Sequence, residues 1–327
     1  MLVAGAVATA ALIGSADSRK EPVDSSLAKG WTTLRHGTLK RTEVAAARVG
    51  RFIYVLGGFQ APSGRTTAAV ERYDIVHDRW RRVRRMPVAL NHPAAATYRR
   101  NVYVLGGYRG PGSSRATSTL YRYEPRRDRW SRVSLAPTAR AALAVGVIGH
   151  NLYAVGGANA SGALKTLEIY DLERDRWSRG PDMSTAREHL AAAVAGGTLY
   201  VLGGRAAGKG NFSLAERYLP GARRWDRIAD LRKARGGFAA AAVGRRVAVV
   251  GGEEAAGTIA QAEIYDPRLR RWTMLPNLPS PRHGLGASSR GRRIYAIEGG
   301  PTPGFSFSNV LEALDLASAR VAGRDGR

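Results

Sequence analysis

Residues 140–177 read RAALAVGVIGHNLYAVGGANASGALKTLEIYDLERDRW and carry the signals that decide the fold. Short apolar runs alternate with Gly, Asn and Asp turns, which predicts four short strands joined in sequence. Three markers stand out in this stretch, namely the pair Gly156-Gly157, then Tyr170 and Trp177. All three recur along the chain, so the stretch is one unit of a repeat.

The repeat has a period of 47 to 50 residues. The first Gly of each pair lies 26 residues after the preceding Trp, and each Tyr stands seven residues before its own Trp. The distance from the Gly pair to the Tyr varies from 14 to 17, so length variation is confined to one connection per unit. The markers are Trp31; Gly57, Gly58, Tyr73, Trp80; Gly106, Gly107, Tyr123, Trp130; Gly156, Gly157, Tyr170, Trp177; Gly203, Gly204, Tyr218, Trp225; and Gly251, Gly252, Tyr265, Trp272.

Four antiparallel strands recurring at this spacing are typical of β-propeller blades, and residues 30–316 resemble the kelch-repeat family. The resemblance implies an all-β, six-bladed propeller of four-stranded blades. The sixth unit has no Trp of its own, so the strand around Trp31 is predicted to complete it and close the ring. In that unit Glu298 stands where the first Gly is expected, unless a one-residue bulge precedes Gly299-Gly300. We expect the glycines to lie against backbone of a neighbouring blade.

The N-terminal segment predicts export. The apolar run from Leu2 to Gly14 would span about 20 Å as a helix, which is short of the roughly 30 Å of a bilayer core. Gly14-Ser15-Ala16 resembles a signal peptidase site, but no Lys or Arg precedes the run, so a cytoplasmic chain is the alternative. We predict a signal peptide at 1–16, a linker at 17–29, the propeller at 30–320 and a tail at 321–327, with no transmembrane span and an extracellular or cell-envelope location.

The chain is basic, with 51 Lys and Arg against 26 Asp and Glu and a net charge of +25. Only six of the cations are Lys, and an Arg excess of this kind also arises in G+C-rich genomes, so no specific nucleic-acid partner is predicted. The absence of Cys excludes disulfides, thiolate metal sites and Cys nucleophiles.

Candidate functional residues cluster at the entry to the innermost strands. Five of the six units have an Arg at one repeated position, and the second unit has Leu90 there. Two interpretations stay open: hydrogen bonding between blades, or an electropositive funnel for an anionic ligand. The predicted binding residues are Arg41, His92, Arg140, Arg187, His189, Arg235, Arg282 and His283. Because blades across the channel mouth are expected to lie too far apart for ligand bonds of about 2 Å, no metal site and no cofactor are predicted.

The sequence favours a noncatalytic, monomeric propeller that binds a protein or glycan, including an anionic one, through the face with the variable loops. The alternative implied by kelch-like enzymes is a sialic acid mutarotase-like epimerase that uses Glu43, Glu188 and His189 for acid–base chemistry. A galactose oxidase-like activity is excluded, because that cofactor couples a Cys to a Tyr and the chain has no Cys.

Overall fold

The computed structural model describes residues 28–112 and 115–316. The predicted signal peptide and tail lie outside the described residues, as do residues 17–27 of the predicted linker and 317–320 of the predicted propeller. The first described strand begins at Ala28, so it includes the last two residues of the segment predicted as a linker. No helix in the described part of the chain is long and apolar enough to cross a membrane.

Five four-stranded antiparallel sheets correspond to the first five repeat units. Their strands, innermost first, are β3 (Ala45–Val49), β4 (Phe52–Leu56), β7 (Val70–Asp74) and β8 (Arg79–Val83); β9 (Ala94–Tyr98), β10 (Asn101–Leu105), β11 (Thr119–Glu124) and β12 (Arg129–Leu135); β13 (Ala144–Ile148), β14 (Asn151–Val155), β17 (Leu167–Asp171) and β18 (Arg176–Arg179); β19 (Ala191–Ala195), β20 (Thr198–Leu202), β23 (Ala215–Leu219) and β24 (Arg224–Arg227); and β25 (Ala239–Val243), β26 (Arg246–Val250), β29 (Ala262–Asp266) and β30 (Arg271–Leu275). For residues 28–112 and 115–316, the prediction of an all-β propeller built from four-stranded blades is confirmed.

The remaining strands form one seven-stranded sheet and three short hairpins. The sheet contains β31 (Gly286–Arg290), β32 (Arg293–Gly299), β33 (Ser308–Leu316), β1 (Ala28–Leu34), β2 (Arg41–Thr42), β5 (Phe59–Gln60) and β6 (Arg65–Thr66). The hairpins are β15 (Ala158–Asn159) with β16 (Gly162–Ala163), β21 (Arg205–Ala206) with β22 (Gly210–Asn211), and β27 (Glu253–Glu254) with β28 (Gly257–Thr258). These hairpins lie in the connections of variable length.

The core lies between adjacent sheets. In the second strand of each of the first five units the last four residues are buried, because a neighbouring sheet covers each face there. The innermost strands are rich in Ala; β19 reads AAAVA and β25 reads AAAAV, and these two strands pack directly against each other. Small side chains let the inner strands converge around one axis.

The segment around Trp31 pairs with the end of the chain. Strand β1 is antiparallel to β33, with Trp31 opposite Leu314. The Trp31 indole N–H donates to the Pro276 carbonyl over 2.8 Å, as the Trp225 indole does to the Pro181 carbonyl of the unit before it. The innermost strands contact one another in succession, and β31 also contacts β3.

The glycine pairs lie against backbone of the next unit, as predicted. A Cβ on Gly57 would lie 2.3 Å from the Leu90 carbonyl oxygen, and the Gly58 N–H donates to that same oxygen over 2.9 Å. In the other units, the second glycine lies against the carbonyl of the residue that follows the repeated Arg or Leu, and in the sixth unit Gly299 lies against the equivalent His283 carbonyl. Gly299 is therefore the second glycine, and Glu298 occupies the first-Gly position. Glu298 has a φ of 55° and lies at a register shift of the ladder.

Candidate functional site

A ring of backbone hydrogen bonds surrounds the propeller axis. One residue per unit, two positions after the repeated Arg or Leu, has a positive φ of 50° to 61°: Glu43, His92, Ala142, His189, Gly237 and Gly284. The N–H of each of the last five donates to the carbonyl of its counterpart in the preceding unit over 2.7 to 3.1 Å, and the Gly284 carbonyl accepts from Val44. This ring brings the side chains of separate units together at the axis.

A cavity of about 330 Å³ lies at this ring, on the face that carries the variable loops. We call it the axial cavity and call that face the loop face. Its lining residues are Thr42, Glu43, Phe59, His92, Tyr108, Glu188, His189, Arg205, Glu253, His283, Gly304 and Phe305. The predicted residues Glu43, His92, Glu188, His189 and His283 are therefore brought together.

Glu43 is the centre of one half of the cluster. Its two carboxylate oxygens lie 3.2 Å from His92 Nε2 and 3.2 Å from His283 Nδ1. Burial alone would raise the pKa of Glu43, but the imidazoles of His92, His283 and His189 hold that pKa well below its usual range. Burial, offset only in part by Glu43, lowers the pKa of His92 to about 4. Burial also acts to lower the pKa of His283, but the carboxylates of Glu43 and Glu253 outweigh burial and raise that pKa.

Arg205 organises the other half. Its guanidinium donates to Glu188 over 2.9 Å and to Glu253 over 2.6 Å, and its third nitrogen lies 3.1 Å from His189 Nε2. Glu188 also hydrogen bonds to His189 Nδ1. Burial opposes ionisation of Glu188, yet its bonds to His189 and Arg205 lower its pKa. Burial likewise opposes the charged form of Arg205, but Glu188 and Glu253 raise its pKa.

Aromatic side chains form the wall of the axial cavity. Phe59 packs on Phe305 with a centroid distance of 5.0 Å and meets His92 edge to face at 5.8 Å. Tyr108 meets His92 from another side at 5.7 Å. Phe305 is 67% exposed, so an apolar surface borders the charged floor.

The five repeated arginines are not placed in the axial cavity. Their side chains are 0–1% exposed, and each guanidinium is bound within the protein. Arg187, for example, donates to the carbonyls of Gly203 and Leu214, each over 2.8 Å, and to Glu216 over 2.6 Å. Arg41, Arg140, Arg235 and Arg282 likewise pair with buried glutamates. This burial favours a structural role for the arginines over the electropositive funnel. Apart from the Arg41–Glu298 pair, however, their partners lie in their own units, so these side chains do not form the expected hydrogen bonds between blades.

The glutamate partners of these arginines also recur at one position of the repeat, which the Arg pattern alone did not reveal. Each stands two residues before the Tyr marker of its unit or before the Leu314 that replaces it: Glu71, Glu168, Glu216, Glu263 and Glu312. In the second unit, where Leu90 replaces the Arg, that position is Tyr121, and both side chains belong to one apolar cluster. The two positions thus change together from an ion pair to an apolar pair.

Four cavity residues that were not among the predicted binding residues share another position. Each directly follows a glycine pair: Phe59, Tyr108, Arg205 and Glu253. Three carboxylates and one guanidinium line the cavity, so its charged groups carry an excess of two negative charges when the histidines are neutral. The cavity floor is acidic in a chain whose net charge is +25.

The expectation that blades across the channel mouth lie too far apart to share ligand bonds is wrong. Ligand atoms of Glu43, His92 and His189 lie within 4.8 Å of one another, although the three residues come from the first, second and fourth units. The His92 and His189 ring centroids are 4.8 Å apart. The backbone ring narrows the mouth, and the positive φ turns these side chains into it.

Comparison with known proteins identifies related sequences. The model of the KLHDC2/KLHL20/DRC7 Kelch-repeats domain matches residues 43–229, and the Kelch motif model matches residues 234–279. A Kelch-like protein, terF, of Aspergillus terreus (strain NIH 2624 / FGSC A1156) is 41% identical over 70 residues, which cover 19% of this chain. The match spans 15% of the length of that relative.

Proposed function

Because the chain belongs to the kelch-repeat family, we propose that it is a noncatalytic binding module that holds a partner protein on the loop face, over the axial cavity. The observation that carries the proposal is the composition of that face. An exposed Phe305 stands beside the buried Phe59 and Tyr108, around a cavity floor of charged groups. Aromatic anchors beside a pocket are typical of residues that dominate protein–protein affinity.

The proposal includes a rigid, closed ring of six blades, acting as a monomer. The pairing of β1 with β33 supports a sixth blade formed by β31, β32, β33 and β1. The contact between β31 and β3 supports closure of that blade onto the first. A closed ring has no open sheet edge and holds the loops in fixed relative positions, which lowers the entropy that binding must overcome.

We also propose that the mature chain is exported and begins near Asp17. The support is the sequence of residues 1–16, with its short apolar run and small residues at the predicted cleavage site. A partner would then be met in the cell envelope or outside the cell.

Site-specific photo-crosslinking tests the proposed binding face. A photoreactive phenylalanine analogue at position 305 places the probe on the loop face, and the matched control carries it at Val76, which is 53% exposed in the turn between β7 and β8 on the opposite face. We expect a discrete protein adduct from position 305 that position 76 does not give. Adducts from position 76 alone, or equal adducts from both positions, would contradict the proposal. A glycan ligand would be recognised by glycan-array binding that Phe305→Ala abolishes.

A second candidate is a mutarotase-like epimerase of acidic sugars. It is favoured by one observation: Glu43, Glu188 and His189, which the sequence nominated for acid–base chemistry, line one cavity. Nuclear magnetic resonance can follow the interconversion of sialic acid anomers. Acceleration by the protein that Glu43→Gln removes would support catalysis, and an anomerisation rate equal to that in buffer would exclude it.

A further inference from the structure

We propose that Glu43, His92 and His189 bind a divalent first-row transition metal ion in the axial cavity. Their ligand atoms already lie within 4.8 Å of one another. A tetrahedral centre with bonds near 2.1 Å separates its ligands by about 3.4 Å, so small side-chain movements would complete the site. Two imidazole nitrogens and one carboxylate are donors typical of Zn²⁺ and Fe²⁺ sites, and the chain has no competing thiolate.

Hydrogen bonds behind His92 fix its ring so that Nε2 faces the carboxylate. Asn91 uses its amide nitrogen to donate to Thr66 Oγ1 over 2.8 Å and to the Gly112 carbonyl over 3.2 Å. Its Oδ1 is therefore left to accept from His92 Nδ1, which lies 2.7 Å away. With the proton on Nδ1, the Nε2 lone pair points at a Glu43 oxygen only 3.2 Å away. Two acceptors facing each other at that distance need either a proton or a metal ion between them, and a metal ion would use both lone pairs.

His189 is oriented in the same way. Glu188 accepts from His189 Nδ1, which leaves Nε2 as the acceptor that faces the cavity. A carboxylate or amide oxygen behind each ligating imidazole is the arrangement that orients metal ligands and raises their basicity. The second oxygen of Glu43 lies 3.2 Å from His283 Nδ1, within ion-pair distance.

Arg205 is the competing cation. It occupies the His189 lone pair from 3.1 Å, while its other nitrogens are held by Glu188 and Glu253. Its side chain is 34% exposed, so it can swing towards solvent when a metal ion binds. With Arg205 charged and the histidines neutral, the lining residues carry an excess of two negative charges, which matches one divalent ion.

The coordination positions that the protein does not fill would face the axial cavity. The three protein ligands come from the ring at its floor, so the remaining coordination positions would open towards Phe59 and Phe305. This site does not depend on the proposed partner protein, and its test needs only the metal ion.

The test is titration of the untagged chain with Co²⁺, followed by its visible absorption bands and by competition with Zn²⁺. We expect one ion per chain, and affinity lowered by about tenfold or more in Glu43→Gln, His92→Ala and His189→Ala, since even outer-partner changes typically cost 10–100-fold. The matched controls His77→Ala and His150→Ala remove exposed imidazoles outside the cavity and should leave binding unchanged. Ala142 has a φ of 50° at the equivalent position, so the backbone accepts alanine there, and thermal melting verifies folding.

A further variant separates the proposed site from adventitious binding. Arg205→Met removes the competing cation and should tighten metal binding severalfold. Absence of stoichiometric binding, or binding that is lost in the His77 and His150 variants but kept in the cavity variants, would overturn the proposal. Partner crosslinking at position 305 can succeed or fail independently of either result.

Discussion

Replacing Arg187 by leucine removes the cation of a buried pair. The Arg187 side chain is 0% exposed and that of Glu216 is 4% exposed, with 2.6 Å between their charged atoms. The substitution leaves the Glu216 carboxylate buried with a backbone N–H donor from Ser184, and it removes the donors to the carbonyls of Gly203 and Leu214. Breaking one side of a buried pair typically costs about 3–5 kcal/mol of unfolding free energy.

The second unit suggests a second substitution that should restore the stability lost in Arg187→Leu. Because it has Leu90 and Tyr121 at the two equivalent positions, the double variant Arg187→Leu, Glu216→Tyr should recover at least half of the lost stability. Equilibrium unfolding of the wild type, both single variants and the double variant forms a mutant cycle, and we expect a coupling energy of about 2 kcal/mol or more. The control is Arg179→Leu, which breaks an exposed pair with Asp182 and should cost less than about 1 kcal/mol.

An Arg187→Leu variant that loses no more stability than Arg179→Leu would show that the buried pair does not stabilise the fold. A cycle without coupling between positions 187 and 216 would show the same. Loss of ligand binding with unchanged stability would instead restore the funnel interpretation of the arginines.

Trp31→Ala should lower the unfolding free energy by about 2–3 kcal/mol in thermal or denaturant melting, since it removes a partly buried indole packed at the β1–β33 pairing. An unchanged melt would mean that β1 contributes nothing to closure. Burial raises the pKa of Glu298 to about 7, assisted by the Glu71 carboxylate and opposed by the Arg41 guanidinium. The protonated side chain therefore contributes about 3 kcal/mol to the unfolding free energy below pH 4.5, and this contribution is lost as the pH rises to 7. Glu298→Gln should flatten this dependence of the unfolding free energy on pH, and an equal slope in both proteins would refute the assignment. N-terminal sequencing of the chain from its native host should begin near Asp17, and an intact Met1 would exclude cleavage.

The fold was predictable because its markers are steric requirements. Gly57 cannot carry a side chain without meeting the Leu90 carbonyl, and Gly58 donates to the same carbonyl. Requirements of this kind repeat at every junction between units, so the sequence shows them as fixed intervals. The pairing of Trp31 with the last unit followed from the same count, because the sixth unit has no Trp of its own.

The site was predictable only in part. The sequence nominated Glu43, His92, His189 and His283, but their mutual distances depend on how far the ring narrows, which the positive φ at positions such as 43 and 92 decides. The role of Arg187 could have been read from its joint replacement with Glu216 in the second unit. Arg205 was missed because its only signal is a place directly after a glycine pair, where the residue type changes from unit to unit.

The most direct test of the binding face is the dissociation constant of the partner captured through position 305, measured by titration calorimetry with the wild type and two single variants. We predict that Phe305→Ala weakens binding by about tenfold or more, equivalent to about 1.4 kcal/mol, whereas Val76→Ala on the opposite face leaves it unchanged. A partner that binds Phe305→Ala as tightly as the wild type but loses affinity for Val76→Ala would contradict it.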